Sequence, residues 1–199
     1  MSVSNFVDKP QQQQFFQTFR EFAYVLLFLL VCCALGFAFL GFQENRMQQL
    51  RCDAEQVRQY KTHQSFYQDG VYFSGGTMQT DEFAHSGTHS MKLTKEDAYG
   101  FQYEIPYLKG NERIMVSVWR FGNGKDTRKG IIVAAAPGMW QAGEEVVEKS
   151  EDGWEKIQFS FTPPPASRNR TLKIYCWNNG HEPLYFDDFS LDIKLEEPL

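Results

Sequence analysis

The sequence predicts an all-β domain built as an antiparallel β-sandwich, preceded by one transmembrane helix and a short helical stalk. Three observations predict it. From Ser65 onward, short segments alternate apolar and polar residues and are punctuated by Gly, Pro and Asn. No helical periodicity separates these segments, which argues against an α/β sheet. Ahead of them, Phe22 to Phe42 runs for 21 residues without a charge.

In chain order, residues 1–21 form a polar tail in which Gln11 to Gln14 precede Phe15, Phe16 and Phe19, the makings of one or two amphipathic turns on a membrane surface. Residues 22–42 are the expected span. At ~1.5 Å rise per residue, a helix of this length covers roughly 30 Å, the thickness of the hydrocarbon core, with every backbone group satisfied internally. The run is too long for the apolar part of a cleavable signal peptide and ends in Phe39, Leu40 and Phe42, so it reads as an uncleaved signal anchor. Arg46, Arg51, Arg58 and Lys61 lie beyond it against Lys9 and Arg20 before it, a count that favours a cytoplasmic C-terminal side. A large C-terminal domain translocates largely regardless of such charges. The expectation is a single-pass membrane protein with an extracytoplasmic C-terminal domain, periplasmic in a Gram-negative bacterium. Residues 43–64 are polar, lack Gly and Pro, and place Met47, Leu50, Ala54 and Val57 at heptad spacing, which predicts the helical stalk.

Residues 65–199 carry about nine expected strands. Glu112 to Phe121 sets Ile114, Val116 and Val118 on one face and Met115, Ser117 and Trp119 on the other; Trp154 to Thr162 turns Ile157, Phe159 and Phe161 inward. Arg170 to Asn178 turns Leu172, Ile174 and Cys176 inward and leaves Lys173, Tyr175 and Trp177 outward. Further strands are expected at Val71–Ser74, His89–Thr94, Tyr99–Ile105, Gly130–Ala136, Glu144–Lys149 and Leu184–Lys194.

Composition narrows the function. Among the 199 residues, 42% are hydrophobic and 23% charged, the balance of a globular chain, while the 16% aromatic share is high. A net charge of −5 lacks the footprint for gripping a phosphate backbone, so nucleic acid is not an expected partner. Four Cys are too few for a disulfide-built scaffold.

One ordered set of segments resembles a known family. It runs His85-Ser86-Gly87, Ser90-Met91-Lys92-Leu93, Tyr99-Gly100-Phe101, Val116-Ser117-Val118-Trp119, Gly153-Trp154, Leu172 to Asn178, and Tyr185-Phe186-Asp187-Asp188-Phe189. Together these resemble jelly-roll carbohydrate-binding modules, galactose-binding-like modules of the kind appended to xylanases and β-glucanases and found in membrane proteins of Bacteroidetes-type bacteria. The resemblance covers roughly residues 65–195 and implies a jelly roll that binds glycans without catalysis.

It also implies sites. In such modules an Asp of the last strand, an acid of the first strand and the Ser-Gly turn hold a structural calcium. Asp187 or Asp188 and Ser86-Gly87 match these positions, but the usual acid of the first strand is replaced by Phe66-Tyr67, with Asp69 two residues on. The set Asp187, Asp188, Asp69, Ser86 and Gly87 therefore reads either as a calcium site or as solvated carboxylates. Sugar recognition in this fold uses aromatic rings that stack on pyranose faces, flanked by groups that hydrogen-bond hydroxyls. Strand alternation offers Trp119, Tyr175 and Trp177 as rings, with Gln102, Glu104, Arg120 and Asn178 as polar partners and Trp140 at the rim; the alternative for Trp119 and Trp177 is cover by a crossing segment.

Catalytic patterns are wanting. His85 and His89 are separated by a turn-like Ser-Gly-Thr rather than a helical face, Gly122-Asn123-Gly124-Lys125 lacks the first Gly of a phosphate loop, and no Gly-x-Ser-x-Gly elbow occurs. The expected function is noncatalytic binding of an envelope glycan or polysaccharide from a membrane tether. The second reading is an interaction subunit whose jelly roll docks on a protein partner or a second copy of itself.

Overall fold

The computed structural model describes residues 47–196. The expected tail, the apolar run 22–42 and residues 43–46 lie outside the described residues. Among the described residues no helix is long and apolar enough to cross a membrane.

Fourteen strands run β1 Gln48–Cys52, β2 Val57–Tyr60, β3 His63–Gln68, β4 Val71–Ser74, β5 Gln79–Thr80, β6 Ser90–Leu93, β7 Tyr99–Ile105, β8 Glu112–Phe121, β9 Gly130–Ala136, β10 Met139–Gly143, β11 Glu145–Lys149, β12 Glu155–Phe161, β13 Leu172–Asn178 and β14 Leu184–Leu195. They form two antiparallel sheets of seven strands. The first has the order β11-β12-β8-β14-β6-β5, and the second β10-β9-β13-β7-β4-β3-β2. β14 organises the first sheet because it is long enough for two partners on one flank: Leu184–Phe186 pairs with β6, and Phe189–Ile193 pairs with β1. A register shift between Asp187 and Ser190, with Asp188 at φ 49°, separates the two stretches.

Alternation works as expected. Ile114, Val116, Val118, Ile157, Leu172, Ile174 and Cys176 are fully buried between the sheets. Phe66, Phe73, Phe101 and Phe189 pack as tilted and edge-on rings at centroid distances of 5.1–5.7 Å, the offset geometry that aromatic quadrupoles favour. Burying each ring contributes about 1.5–3 kcal/mol relative to exposure.

The helical stalk is corrected. Residues 47–64 contain β1, β2 and the start of β3, so the domain begins at Met47 rather than Ser65. Leu50 and Cys52 are buried while Gln49 and Arg51 are exposed, a period of two that the heptad spacing concealed. Pairing with β14 supplies what an isolated polar helix of this length lacks, a partner for its apolar residues. Arg51 reinforces the pairing with a 2.8 Å ion pair to Asp192. Ala54, fully buried at φ 61°, makes the turn into β2 in a left-handed conformation that no Gly announced. Cys52 and Cys176 are free and buried, and burial pushes both thiols far up in pKa, which keeps them unreactive.

Candidate functional site

The strand alternation that predicts outward rings holds for direction but not for company. Trp119 belongs to β8 of the first sheet, whereas Tyr175 and Trp177 belong to β13 of the second, so they lie on opposite outer faces of the sandwich. The two faces have different fates.

On the first sheet, Trp119 is 8% exposed. It joins Trp154 and Tyr185 in a second aromatic cluster, with Phe83 and Phe121 packed against it. The segment before β6 closes over this cluster: the His85 ring stacks on Trp119 at 3.9 Å, and Phe83 meets Tyr185 edge-on at 4.9 Å. Trp119 is therefore corrected from a sugar platform to a covered ring. Arg120, 1% exposed, is corrected likewise. It points inward, donates to the Gly130 carbonyl at 2.6 Å, and directs Nε and Nη2 at Glu155 Oε2 at 3.3 and 3.1 Å. Burial acts to raise the Glu155 pKa, but hydrogen bonds from Lys149, Thr127 and Arg120 outweigh it and hold the carboxyl down at about 2. Asn178 is the third correction. It is buried, its amide N–H groups go to the Leu93 and Glu182 carbonyls, and its own oxygen accepts from Gly180 N, so no polar atom remains for a ligand.

The carboxylates of β14 are also committed. Asp187, fully buried, accepts backbone N–H bonds from His85 at 2.8 Å, Ser86 at 3.1 Å and Asp188 at 2.7 Å. Burial pushes its pKa up to about 7; the Ser86 N–H pulls against this and the Asp188 charge adds to it. Asp188 receives the Ser86 hydroxyl at 2.8 Å and faces His85 Nδ1 at 2.7 Å. Glu55 fills the remaining side of the loop, its Oε1 accepting from both Thr88 N and His89 N at 2.7 Å. Gly87, at φ 61°, leaves room for that carboxylate, since a Cβ there would sit 2.3 Å from Glu55 Oε1. A calcium ion needs several oxygens turned toward one point, whereas the Asp187 and Asp188 oxygens are already engaged by His85, Ser86 and the Asp188 N–H. Asp69 stands apart in the β3–β4 turn at φ 50°, and among the described residues no cluster of three His, Cys, Asp or Glu is arranged for a metal. The residues do not fit the expected calcium.

The outer face of the second sheet is open. Tyr175 and Trp177 stand two apart on β13, and Tyr99 pairs with Trp177 across β7. The Tyr99 ring lies 5.8 Å from Trp177, nearly parallel at 21°, and 5.6 Å from Tyr175 at 75°. On the far side, Trp140 of β10 is placed opposite Ala135, which is registered with Lys173 of β13, two residues before Tyr175. Burial raises the Tyr175 pKa, while a hydrogen bond from Trp140 opposes it. Tyr99 and Trp140 are 55% and 59% exposed, so the array is bare at both ends.

A bulge makes this possible. Phe101 at φ 47° and the register shift opposite Ile174–Cys176 insert an extra inward residue into β7, so Tyr99 and Gln102 share the outer face although three residues apart. Gly100 packs against Met91 below, where a Cβ would lie 2.2 Å from the sulfur. Gln102 is the neighbour of Ser74, the one registered pair joining β4 to β7, and Glu104 forms a 3.1 Å ion pair with Lys173. Beside Gln102 and Glu104 opens a groove of about 960 Å³, lined also by Tyr60, Tyr72, Ser74 and His63. Tyr72 stacks on Tyr60 at 4.4 Å and tilts against Tyr67 at 5.0 Å, and the Arg58 guanidinium caps Tyr67 at 3.7 Å.

The structure thus gathers Tyr175, Trp177, Trp140, Gln102 and Glu104 on one surface and removes Trp119, Arg120 and Asn178 from it. Tyr99, Tyr60, Tyr67 and Tyr72 are additions. The alternation of Tyr67 and Tyr72 around the Asp69-Gly70 turn was a visible signal for two of them, since cross-strand partners of a tight hairpin share a face.

No family model matches the chain, and no curated protein matches it. Solved structures similar to it include the CBM22-1 xylan-binding domain from Paenibacillus barcinonensis Xyn10C, at 14% identity and TM-score 0.47, covering 77% of this chain and 97% of that one. A CBM35 from Cellvibrio japonicus Abf62 is similar at 11% identity and TM-score 0.44 over 75% and 99%. A cyclase from Fischerella sp. TAU is similar at 15% and 0.43 over 75% and 86%. Carbohydrate-binding modules therefore stand among the structures it is similar to.

Proposed function

We propose that the chain is a membrane-tethered, noncatalytic glycan-binding protein whose binding surface is the outer face of the second sheet. One observation carries the reading: Tyr99, Tyr175 and Trp177 form an aromatic array beside Gln102 and the Glu104–Lys173 pair, with exposed Trp140 two strands away on the same sheet. Rings of this kind offer flat apolar faces to the C–H faces of pyranoses, while the amide and the ion pair supply donors and acceptors for hydroxyls. The groove beside them is of a size that encloses a few sugar rings. The apolar run 22–42 supplies the tether, and the large C-terminal domain, which translocates largely regardless of the flanking charges, is placed on the side where envelope glycans are found. Tethering raises the effective concentration, so even weak stacking holds a polysaccharide close to the membrane.

The test is a panel of soluble polysaccharides and peptidoglycan fragments titrated into the unit from Met47 to Leu199, which contains both sheets and their core. Saturable binding that Trp177→Ala weakens at least about tenfold supports the reading. Flat titrations from a folded unit contradict it.

A further inference from the structure

The strands bring five cations to one end of the sandwich with few acids among them. At one end lie the β7–β8 connection, the β12–β13 connection and the start of β1. Gln48 is registered with Ile193, Lys194 with Arg113, and Leu172 with Ile105, so Met47, Lys194, Arg113 and both connections share this end. It carries Lys109, Arg113, Arg168, Arg170 and Lys194, all exposed. Arg113 has a 3.7 Å ion pair with Glu196; among the described residues Lys109, Arg168, Arg170 and Lys194 have none. Glu112, the acid in their midst, is buried with its carboxylate turned to the backbone N–H groups of Lys109 and Gly110. The other end is mixed: Glu96, Asp97, Asp126, Glu151, Asp152 and Glu182 stand there among Lys95, Lys125, Arg128 and Lys129, with Lys125 paired to Glu182 and Arg128 to Asp126.

The basic tip is rigid. Leu108 is fully buried, its N–H donates to the Arg170 carbonyl at 3.1 Å, and its carbonyl accepts from Asn169 N at 2.8 Å, bolting the two connections together. Tyr107 and Asn169 are left-handed at φ 53° and 60°, and Tyr107 is held 76% exposed beside the cations. An exposed tyrosine amid unpaired cations suits the membrane–water interface, where phenol rings sit at headgroup level and cations meet anionic phosphates.

The chain enters at this same end. In the sequence, four residues separate Phe42, the last of the apolar run, from Met47.

We propose that this basic end is a lipid-contact surface that docks the domain on anionic headgroups, with Tyr107 at the interface and Lys109, Arg168, Arg170 and Lys194 on the phosphates. The proposal rests on the tether of the proposed function.

Two measurements test it. The unit from Met47 to Leu199 is cosedimented with phosphatidylcholine vesicles with and without 30% phosphatidylglycerol, and the full chain in nanodiscs of the same two compositions is followed by amide hydrogen exchange. Expected are binding only to the anionic vesicles, at least about tenfold weaker in Lys109→Glu/Arg168→Glu/Arg170→Glu and suppressed by 0.5 M salt, and slower exchange at 106–110 and 168–171 in anionic nanodiscs alone. A control variant at the opposite end, Lys95→Glu/Lys129→Glu, leaves both unchanged. Exchange and sedimentation that ignore lipid charge overturn the proposal, as does binding to a soluble polyanion such as heparin with none to vesicles. Carbonate extraction of the full chain reports the tether separately: release of the chain refutes the tether, whereas the vesicle arm still reads the surface.

Discussion

The two outer faces of the sandwich start from the same pattern and end as opposites. Trp119 on β8 and Trp177 on β13 both occupy outward strand positions among buried neighbours. On the first sheet, residues 83–85 lie across the face, and the rings become a second small core of Trp119, Trp154 and Tyr185. On the second sheet no described segment crosses, and Tyr99, Tyr175, Trp177 and Trp140 form an open surface. The difference lies in what chain passes overhead, a property of the connections and not of the strands. An outward aromatic residue is thus a structural element on one face and a candidate ligand platform on the other.

The largest expected effect is structural and falls on the covered face. Trp119→Ala removes a ring packed on His85 and costs about 3–5 kcal/mol in urea unfolding, with glycan affinity unaltered in the molecules that remain folded. Arg120→Met follows, at about 3 kcal/mol, because it leaves the Glu155 carboxylate and the Gly130 carbonyl without their shared partner. Equal loss of binding in these two variants and in Trp177→Ala would erase the distinction between the faces.

On the open face the signs reverse. Trp177→Ala and Tyr99→Ala are expected to shift stability by less than about 1 kcal/mol and to weaken glycan binding at least about tenfold, read by calorimetric titration and urea unfolding on the same preparations.

Acid sharpens the contrast further. Glu155 and Glu55 have native pKa values near 2, below their ordinary value of 4.5, so they contribute stability above pH 4.5 that is lost as pH falls toward 2. Both serve the interior and the covered side of the molecule. The urea midpoint is expected to fall across that window, and Glu155→Gln to flatten part of the fall. The smallest effect concerns calcium. With the Asp187 and Asp188 oxygens already receiving N–H and O–H donors, added calcium or chelator is expected to leave the thermal midpoint in place, and a rise with calcium would show that the loop rearranges to admit it.

Much of this was legible in the sequence because strand alternation is local. Each of the nine expected strands from Val71–Ser74 to Leu184–Lys194 has a counterpart within two residues at either end, and the inward set Ile114, Val116, Val118, Leu172, Ile174 and Cys176 is the core. Residues 47–64 misled because Met47, Leu50, Ala54 and Val57 satisfy a heptad as well as they satisfy two short strands joined by a left-handed Ala54, and the partner that decides between them, β14, lies about 140 residues away. Sheet membership is equally non-local. Nothing in the order of residues states that β8 and β13 belong to different sheets, so alternation alone puts Trp119 and Trp177 on a common outward face. The burial of Arg120 and Asn178 likewise depends on Glu155 and Leu93, distant partners that turn polar side chains into internal clips.

The four tryptophans permit one measurement of the central claim. Two of them, Trp119 and Trp154, belong to the covered face, and the other two, Trp140 and Trp177, to the open one. Indole N–H signals of the unit from Met47 to Leu199 would be followed by NMR during titration with whichever polysaccharide binds. The account predicts that Trp140 and Trp177 shift while Trp119 and Trp154 stay in place; shifts confined to Trp119 and Trp154 would contradict it and move the site to the other sheet.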